Sequence, residues 1–360
     1  MKIAFEASNL ISNKPTGIGR YGKHFIQSIV DMMPNDVKIL YKASRLKSKY
    51  RHDWLGLGHV PSQAYLGSIW PLVKNVDIVH GLDTILPRWK QCKKVITIHD
   101  LLPLLQEHDS IATKAFRRKK FIKYREVLAI SDLIITVSEN TRKDVLEYFQ
   151  LPESKVINVY PGVNAHHFYP RNINEVNNIR KKYNITRDYL LFVGSISGRK
   201  NTERLVLAYS ASKAKEQYDL VLVGQISHFG EKTIAAIKKS GVDNKTHLLA
   251  YVPDEDLAAL YTGATGFCFP TLYEGFGFPI LESMLCQTPV LTSNTGSSPE
   301  VANAFALLVD PYSIKSIANG IDQLVGRKDS DVFSASEYAK KFSWKCSANN
   351  MMHIYRSLMA

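Results

Sequence analysis

The chain has 360 residues, 45% of them hydrophobic and 22% charged, with 20 Gly and 15 Pro. That balance excludes disorder, collagen-like repeats and coiled coils, and at roughly 100–200 residues per domain the length points to two domains. The formal charge of +13 is lopsided: residues 1–185 hold 29 Lys/Arg against 16 Asp/Glu, whereas residues 186–360 hold 17 of each, so an anionic partner is drawn first to the N-terminal half.

The opening MKIAFEASNL carries one Lys and no long apolar core, so it reads as a first buried strand, Ile3–Ala7, and not as a signal peptide. A glycine loop follows, Thr16-Gly17-Ile18-Gly19-Arg20-Tyr21-Gly22, before a helix over Tyr21–Asp31. Its Gly17, Gly19 and Gly22 spell G-x-G-x-x-G, but Tyr41-Lys42 stands where a dinucleotide site needs an acid. Mere turn chemistry competes evenly with phosphate binding here. Further strands are expected at Val37–Tyr41, Ile78–His80, Val95–Ile98, Leu133–Val137 and Val156–Val159, apolar at nearly every position as in a parallel sheet covered on both faces. His99-Asp100 closes one of these runs; Asp100 either orients His99 or caps the next segment.

Helices are expected over Ile111–Ile130 and over Glu139–Phe149, the latter with Ser138 as N-cap. The first of them interleaves cations and aromatics from Lys114 to Arg125. A solvated face is the default for such a run; nucleic-acid binding lacks an accompanying recognition fold, and attraction to anionic lipid is the preferred functional reading. A turn-rich connection, Pro161-Gly162-Val163 to Tyr169-Pro170, separates a first domain, 1–168, from a second, 169–342. Strands of the second are expected at Tyr189–Val193, Leu220–Val223, Thr246–Leu249, Gly266–Phe269, Pro289–Thr292 and Ala306–Leu308. Residues 343–360 read as a helix returning to the first domain, with Trp344, Met351, Ile354, Tyr355 and Leu358 as its apolar positions. Cys92, Cys268, Cys286 and Cys346 are too scattered for a disulfide framework or a Cys-based zinc site, which suits a reducing cytoplasm. No stretch approaches the roughly 20 apolar residues of a membrane span.

The most informative run is Phe269 to Glu282. A buried strand ends at Pro270, a glycine loop follows, and a helix begins near Pro279. Gly275 and Gly277 let backbone approach a ligand, and the helix N-terminus offers amides to an anion. Glu274 beside it and Glu282 one turn in can grip hydroxyls on either side of a bound diphosphate. A second feature, Arg199-Lys200-Asn201, follows the first strand of the second domain and can supply charge to an anionic leaving group.

Glu274 and Glu282 form an E-x7-E pair inside Y-E-G-F-G-F-P-I-L-E-S-M-L-C-Q-T-P-V, which resembles the signature of the family 4 retaining glycosyltransferases. The likeness also takes in Thr16–Tyr21, His99-Asp100, Val137-Ser138, Pro161–Val163, Phe192–Gly194, Ser195–Asn201 and Ser298-Pro299-Glu300-Val301, nearly the whole chain. It implies an α/β GT-B fold, two facing Rossmann-like domains with a deep cleft, the first taking the acceptor and the second a nucleotide-sugar donor. No metal or other cofactor is implied. The resemblance gives catalytic roles to His99, Arg199, Lys200 and Glu274, and donor-binding roles to Gly17, Gly19, Gly275, Phe276, Gly277, Phe278 and Glu282, the last at the ribose. Glu300 has a supporting role. Many relatives carry Arg where this chain has Ser195. The run Gly194–Asn201 is similar to that of members using GDP-mannose; a UDP-sugar donor and a nucleotide-sugar epimerase of the same fold are the alternatives. A glycan or lipid-linked glycan acceptor would place the enzyme in the cytoplasm, where the basic stretch could meet the inner membrane face.

Overall fold

The computed structural model describes residues 1–8, 10, 17–42, 57, 59–65, 75–105, 114–227, 230–327 and 331–360. The chain divides into two units. One is built from Met1–Leu105, the stretch that closes at Gly162, and Phe342–Ala360; the other is built from Val163–Lys341.

In chain order the first unit contains β1 (Ile3–Glu6), α1 (Gly17–Met32), β2 (Val37–Lys42), β3 (Ser62–Tyr65), β4 (Ile78–Gly81), β5 (Lys93–Ile98), α2 (Leu102–Leu105), α3 (Lys114–Ile130), β6 (Leu133–Thr136), α4 (Glu139–Phe149) and β7 (Val156–Asn158). Among the described residues its sheet has seven parallel strands in the order β3-β2-β1-β4-β5-β6-β7. β1, β4 and β6 are buried along their whole length, in keeping with their mostly apolar sequences, with Glu6, His80 and Thr136 as buried polar exceptions. Ser138 caps α4, its hydroxyl accepting from the Thr141 amide at 3.0 Å.

Two expectations are corrected. β3, Ser-Gln-Ala-Tyr, carries no apolar run; it is an edge strand made by backbone pairing to β2 and was not anticipated. The glycine loop is shorter than the spacing suggested, because helix α1 already begins at Gly17; Thr16 lies outside the described residues, as do the first three of the helix expected from Ile111.

The second unit contains α5 (Ile173–Lys182), β8 (Tyr189–Val193), α6 (Thr202–Ala211), β9 (Asp219–Val223), α7 (Gly230–Lys239), β10 (Thr246–Leu249), α8 (Asp254–Thr262), β11 (Gly266–Phe269), α9 (Phe278–Leu285), β12 (Val290–Ser293), α10 (Ser298–Ala302), β13 (Ala306–Val309), α11 (Ile314–Gly326) and α12 (Val332–Ala339). Its parallel sheet runs β10-β9-β8-β11-β12-β13. The unit begins at Val163, ahead of the expected 169. The reason is local packing: the Phe168 ring meets Tyr261 with centroids 6.0 Å apart, and His167 reaches the Asp254 carbonyl at 2.6 Å.

The last helix, α13 (Trp344–Met359), belongs to the first unit and packs on α1. Ser343 caps it by accepting from the Cys346 amide at 3.1 Å. Met351, Met352 and Tyr355 form its buried face. Tyr355 is anchored in the sheet: its hydroxyl lies 2.5 Å from His80 Nδ1, and His80 Nε2 lies 2.8 Å from Thr97 Oγ1. Burial drives the His80 pKa down to about 3, so the imidazole stays neutral between two hydroxyl partners. The entry of α13 passes so near Gly162 that a Cβ there would sit 2.1 Å from the Trp344 nitrogen. Gly162→Ala is therefore expected to lower the thermal midpoint, at a cost of about 1–3 kcal/mol for overpacking. An unchanged midpoint in thermal denaturation would show that α13 is not seated against residue 162.

Candidate functional site

In the second sheet the strand order reverses between β8 and β11. Ligands of open α/β sheets bind beyond the carboxyl ends of the strands at such a point. The two runs singled out from the sequence are the loops that leave these two strands, residues 194–201 after β8 and residues 270–277 after β11.

The loops are tied together by backbone and side chain. The Leu272 amide donates to the Arg199 carbonyl at 3.1 Å. Asn201 sits in the left-handed region with φ 59°, the position before α6, and its Nδ2 donates to the carbonyls of Pro270 at 2.8 Å and Pro311 at 2.7 Å. Asn tolerates that conformation better than most residues, and its amide satisfies carbonyls that would otherwise be buried unpaired. Ser297 is fully buried and donates to the carbonyls of Glu274 at 2.9 Å and Phe276 at 3.0 Å, bracing the glycine loop from the start of α10.

This scaffold brings Arg199, Lys200 and Glu274 together. Glu274 Oε1 accepts from Lys200 Nζ at 2.8 Å and from Arg199 Nη1 at 3.1 Å. Lys200 Nζ also lies 4.7 Å from the Phe269 ring centroid, a cation–π contact at the end of β11. Burial alone would raise the Glu274 carboxyl, but the charges of Lys200 and Arg199 outweigh it and hold the pKa below its ordinary 4.5. The cluster thus places two cations against one carboxylate in a partly dehydrated place.

The helices beside it add to that field. Neither α6 nor α9 has a side-chain cap, whereas α4, α5, α11 and α13 do. The N-terminal dipoles of α6 and α9 face the loops that precede them. Gly277, the residue before α9, has φ +97°, a conformation any side chain would strain, and Pro279 follows in the first turn. Glu282 projects from α9 and accepts from the Tyr261 hydroxyl at 3.1 Å. Tyr261, Asn201 and Ser297 are supporting residues to which the sequence reading gave no role. Only Asn201 had a signal, its place beside Arg199-Lys200.

In the first unit, His99 follows β5 and is half-buried. Its Nε2 lies 2.8 Å from the Leu82 carbonyl, and the Tyr21 ring meets it edge-on with centroids 4.8 Å apart. Asp100 Oδ1 accepts from the Leu102 amide at 3.1 Å, at the start of α2. Gly17 is exposed and Gly19 buried in the first turn of α1, the helix that carries Tyr21. Among the described residues no cluster of three or more His, Cys, Asp or Glu could hold a metal ion, and no helix is long and apolar enough to cross a membrane.

Two family models match the chain in tandem: Glycosyltransferase Family 4 over residues 40–167 and Glycosyl transferases group 1 over residues 175–342. The O-antigen chain mannosyltransferase B of Escherichia coli is 29% identical, over 99% of this chain and 100% of its own. Sucrose-phosphate synthase from Thermosynechococcus elongatus shares the fold with a TM-score of 0.81 at 19% identity, covering 100% of this chain and 99% of its own. Anabaena HepE, solved with UDP and glucose, gives a TM-score of 0.76 at 17% identity over 99% of this chain and 100% of its own.

The ion cluster makes a stability prediction. Removing one partner of a buried pair leaves an uncompensated charge, so Glu274→Gln is expected to destabilise the second unit by about 3–5 kcal/mol at neutral pH. Because the folded carboxyl titrates below its ordinary value, this stabilisation is present above that value and disappears as pH falls through the depressed one. Urea titrations in a series from pH 7 downward should show a wide gap between variant and wild type that narrows progressively in acid below the ordinary carboxylate range. Equal stability at pH 7 would overturn the assignment.

Proposed function

The chain belongs to the family 4 glycosyltransferases and has their GT-B fold, and from that premise we propose that it transfers mannose from GDP-mannose, with retention, to a hydroxyl of a glycan or lipid-linked glycan. The observation that carries the reading is the sharing of Glu274 between Lys200 and Arg199 at the carboxyl ends of β8 and β11. A nucleoside diphosphate departing from a sugar gains negative charge as the glycosidic bond breaks. Two preplaced cations and two uncapped helix ends can take up that charge without reorganising at the moment of reaction.

In this mechanism Arg199 and Lys200 hold the diphosphate, assisted by amides in the loop from Gly275 through Phe278. Glu274 keeps the two cations at one place against their mutual repulsion and offers its remaining lone pairs to sugar hydroxyls. Glu282, braced by Tyr261, binds the ribose. In the first unit, the resemblance gives His99 a contact with the donor sugar, and gives Gly17 and Gly19, at the start of α1, a donor-binding role. The acceptor oxygen forms its bond to the anomeric carbon on the face from which the diphosphate leaves. The electrons of the broken C–O bond go to the phosphate oxygen, which takes the acceptor's proton. The mannosyl donor is supported by the name of the Escherichia coli relative; a UDP-sugar is the second reading, favoured by the UDP in Anabaena HepE.

A basic helix supports an acceptor held at a lipid surface. On α3, Lys114, Arg118, Lys119 and Arg125 are exposed, and so are the apolar Phe116 and Ile122. Each cation near an anionic surface contributes about 1 kcal/mol.

Lys200→Ala is expected to cut transfer by about 10²–10³-fold, the usual loss for one preorganised donor of this kind, with the fold intact by circular dichroism. Near-wild-type turnover would overturn the reading. Assayed against a panel of nucleotide sugars, GDP-mannose should give transfer and UDP-glucose should not, in EDTA as well as with added Mg²⁺. Incubation with donor alone should yield no epimer. Sedimentation with phosphatidylglycerol vesicles at low salt should retain the wild type and lose an R118E/K119E variant; retention of both would remove α3 from the membrane reading.

A further inference from the structure

His99 is held from two sides by contacts that fix more than its position. The Leu82 carbonyl has no proton to give, so the hydrogen bond to His99 Nε2 requires that nitrogen to carry the proton. A neutral His99 therefore presents Nδ1 as its lone-pair nitrogen. Rotation of the ring is opposed by Tyr21, whose ring stands at 85° to it, edge to face.

Tyr21 itself has little freedom. It is 1% exposed, stacks on Phe25 with centroids 5.4 Å apart, and is met by the Trp344 ring of α13 at 5.6 Å. Its hydroxyl bonds the Thr97 side chain, which bonds His80, which bonds Tyr355 of α13. His80 stays neutral, so this buried chain of hydroxyls and imidazole carries no charge that could move the ring it supports.

We propose that Tyr21 is a positioning residue for His99, and that α13 contributes to the reaction through it: Trp344 and Tyr355 hold Tyr21, Tyr21 and the Leu82 carbonyl hold His99 in one orientation and one tautomer, and Nδ1 is thereby aimed as a hydrogen-bond acceptor for a sugar hydroxyl. The proposal rests on the transferase reading for its substrate, but not for its geometry. It also explains why the loop glycines are followed by a tyrosine, and why the last helix is attached to the first unit at the strands that flank His99.

The test uses the full chain with ¹⁵N-labelled histidine, the His99 signals being assigned by comparison with His99→Gln. Long-range ¹H–¹⁵N spectra of the wild type should show His99 as a single Nε2–H tautomer. Tyr21→Leu should give a tautomer mixture and lower kcat with GDP-mannose by up to about 10²-fold, the scale of loss for a reacting group misplaced by about an ångström. KM for the donor should stay within about threefold, since the diphosphate contacts lie in the other unit. Tyr21→Phe keeps the ring and should restore the tautomer and most of kcat. If Tyr21→Leu does not fold, Trp344→Leu is read by the same spectra and kinetics. A mixed tautomer in the wild type, or an unchanged tautomer and kcat in the leucine variant, would overturn the proposal. Failure of the transferase reading shows differently, as absence of turnover with every nucleotide sugar while the tautomer remains single.

Discussion

Everything distinctive about the second unit depends on one carboxylate accepting from two cations. Arg199 and Lys200 are adjacent in the chain, and Lys200 is buried to 8% exposure. Two such charges without a partner would repel each other and suffer the cost of leaving water. Glu274 offsets both effects by accepting from each cation. That pairing holds only while the carboxylate stays ionised, and the same cations that need Glu274 keep it so. The helix ends of α6 and α9 add partial positive charge to the same loops. Asn201 and Ser297 brace the two loops, so the cluster is held in place by bonds that do not involve it.

The two sheets reverse their strand order at β1/β4 and at β8/β11, and they furnish those points differently. The second carries the Arg199–Lys200–Glu274 cluster. At the first, the buried Glu6 closes β1, and the surroundings of His99 are aromatic: Tyr21 meets the imidazole edge-on, with Phe25 and Trp344 against Tyr21. An apolar backing leaves His99 to interact by direction and tautomer more than by field.

What the sequence made legible follows from how far apart the interacting residues lie. The strands buried on both faces announce themselves as apolar runs, and Ser138 and Pro279 mark helix starts by local chemistry that needs no partner elsewhere. Arg199, Lys200, Glu274 and Glu282 sit in two short motifs that the sequence singles out, but the ion pairs joining the first three across as many as 75 positions could not be read from it. β3 has no such pattern, because only its pairing with β2 makes it a strand. Tyr261 and Ser297 escaped notice for the same reason: each acts on residues 21 or more positions away, Tyr261 through one hydrogen bond and Ser297 through two. The unit boundary was placed late because a turn-rich composition does not reveal which side Phe168 and His167 pack against.

The last helix shows the limit most clearly. Its apolar spacing gave the helix, and the structure adds what spacing cannot: a hydroxyl that reaches a buried histidine 275 residues earlier. A polar bond at that depth constrains more than an apolar contact would, because a slipped register would leave both Tyr355 and His80 with buried, unpaired polar groups. The cost of such a slip fixes how α13 lies along α1, and with it where Trp344 meets Tyr21. Placement of the C-terminal residues and placement of the imidazole beside the first sheet are therefore one structural problem. Gly162 belongs to it too, since its missing side chain is what lets the backbone of α13 arrive at the required depth.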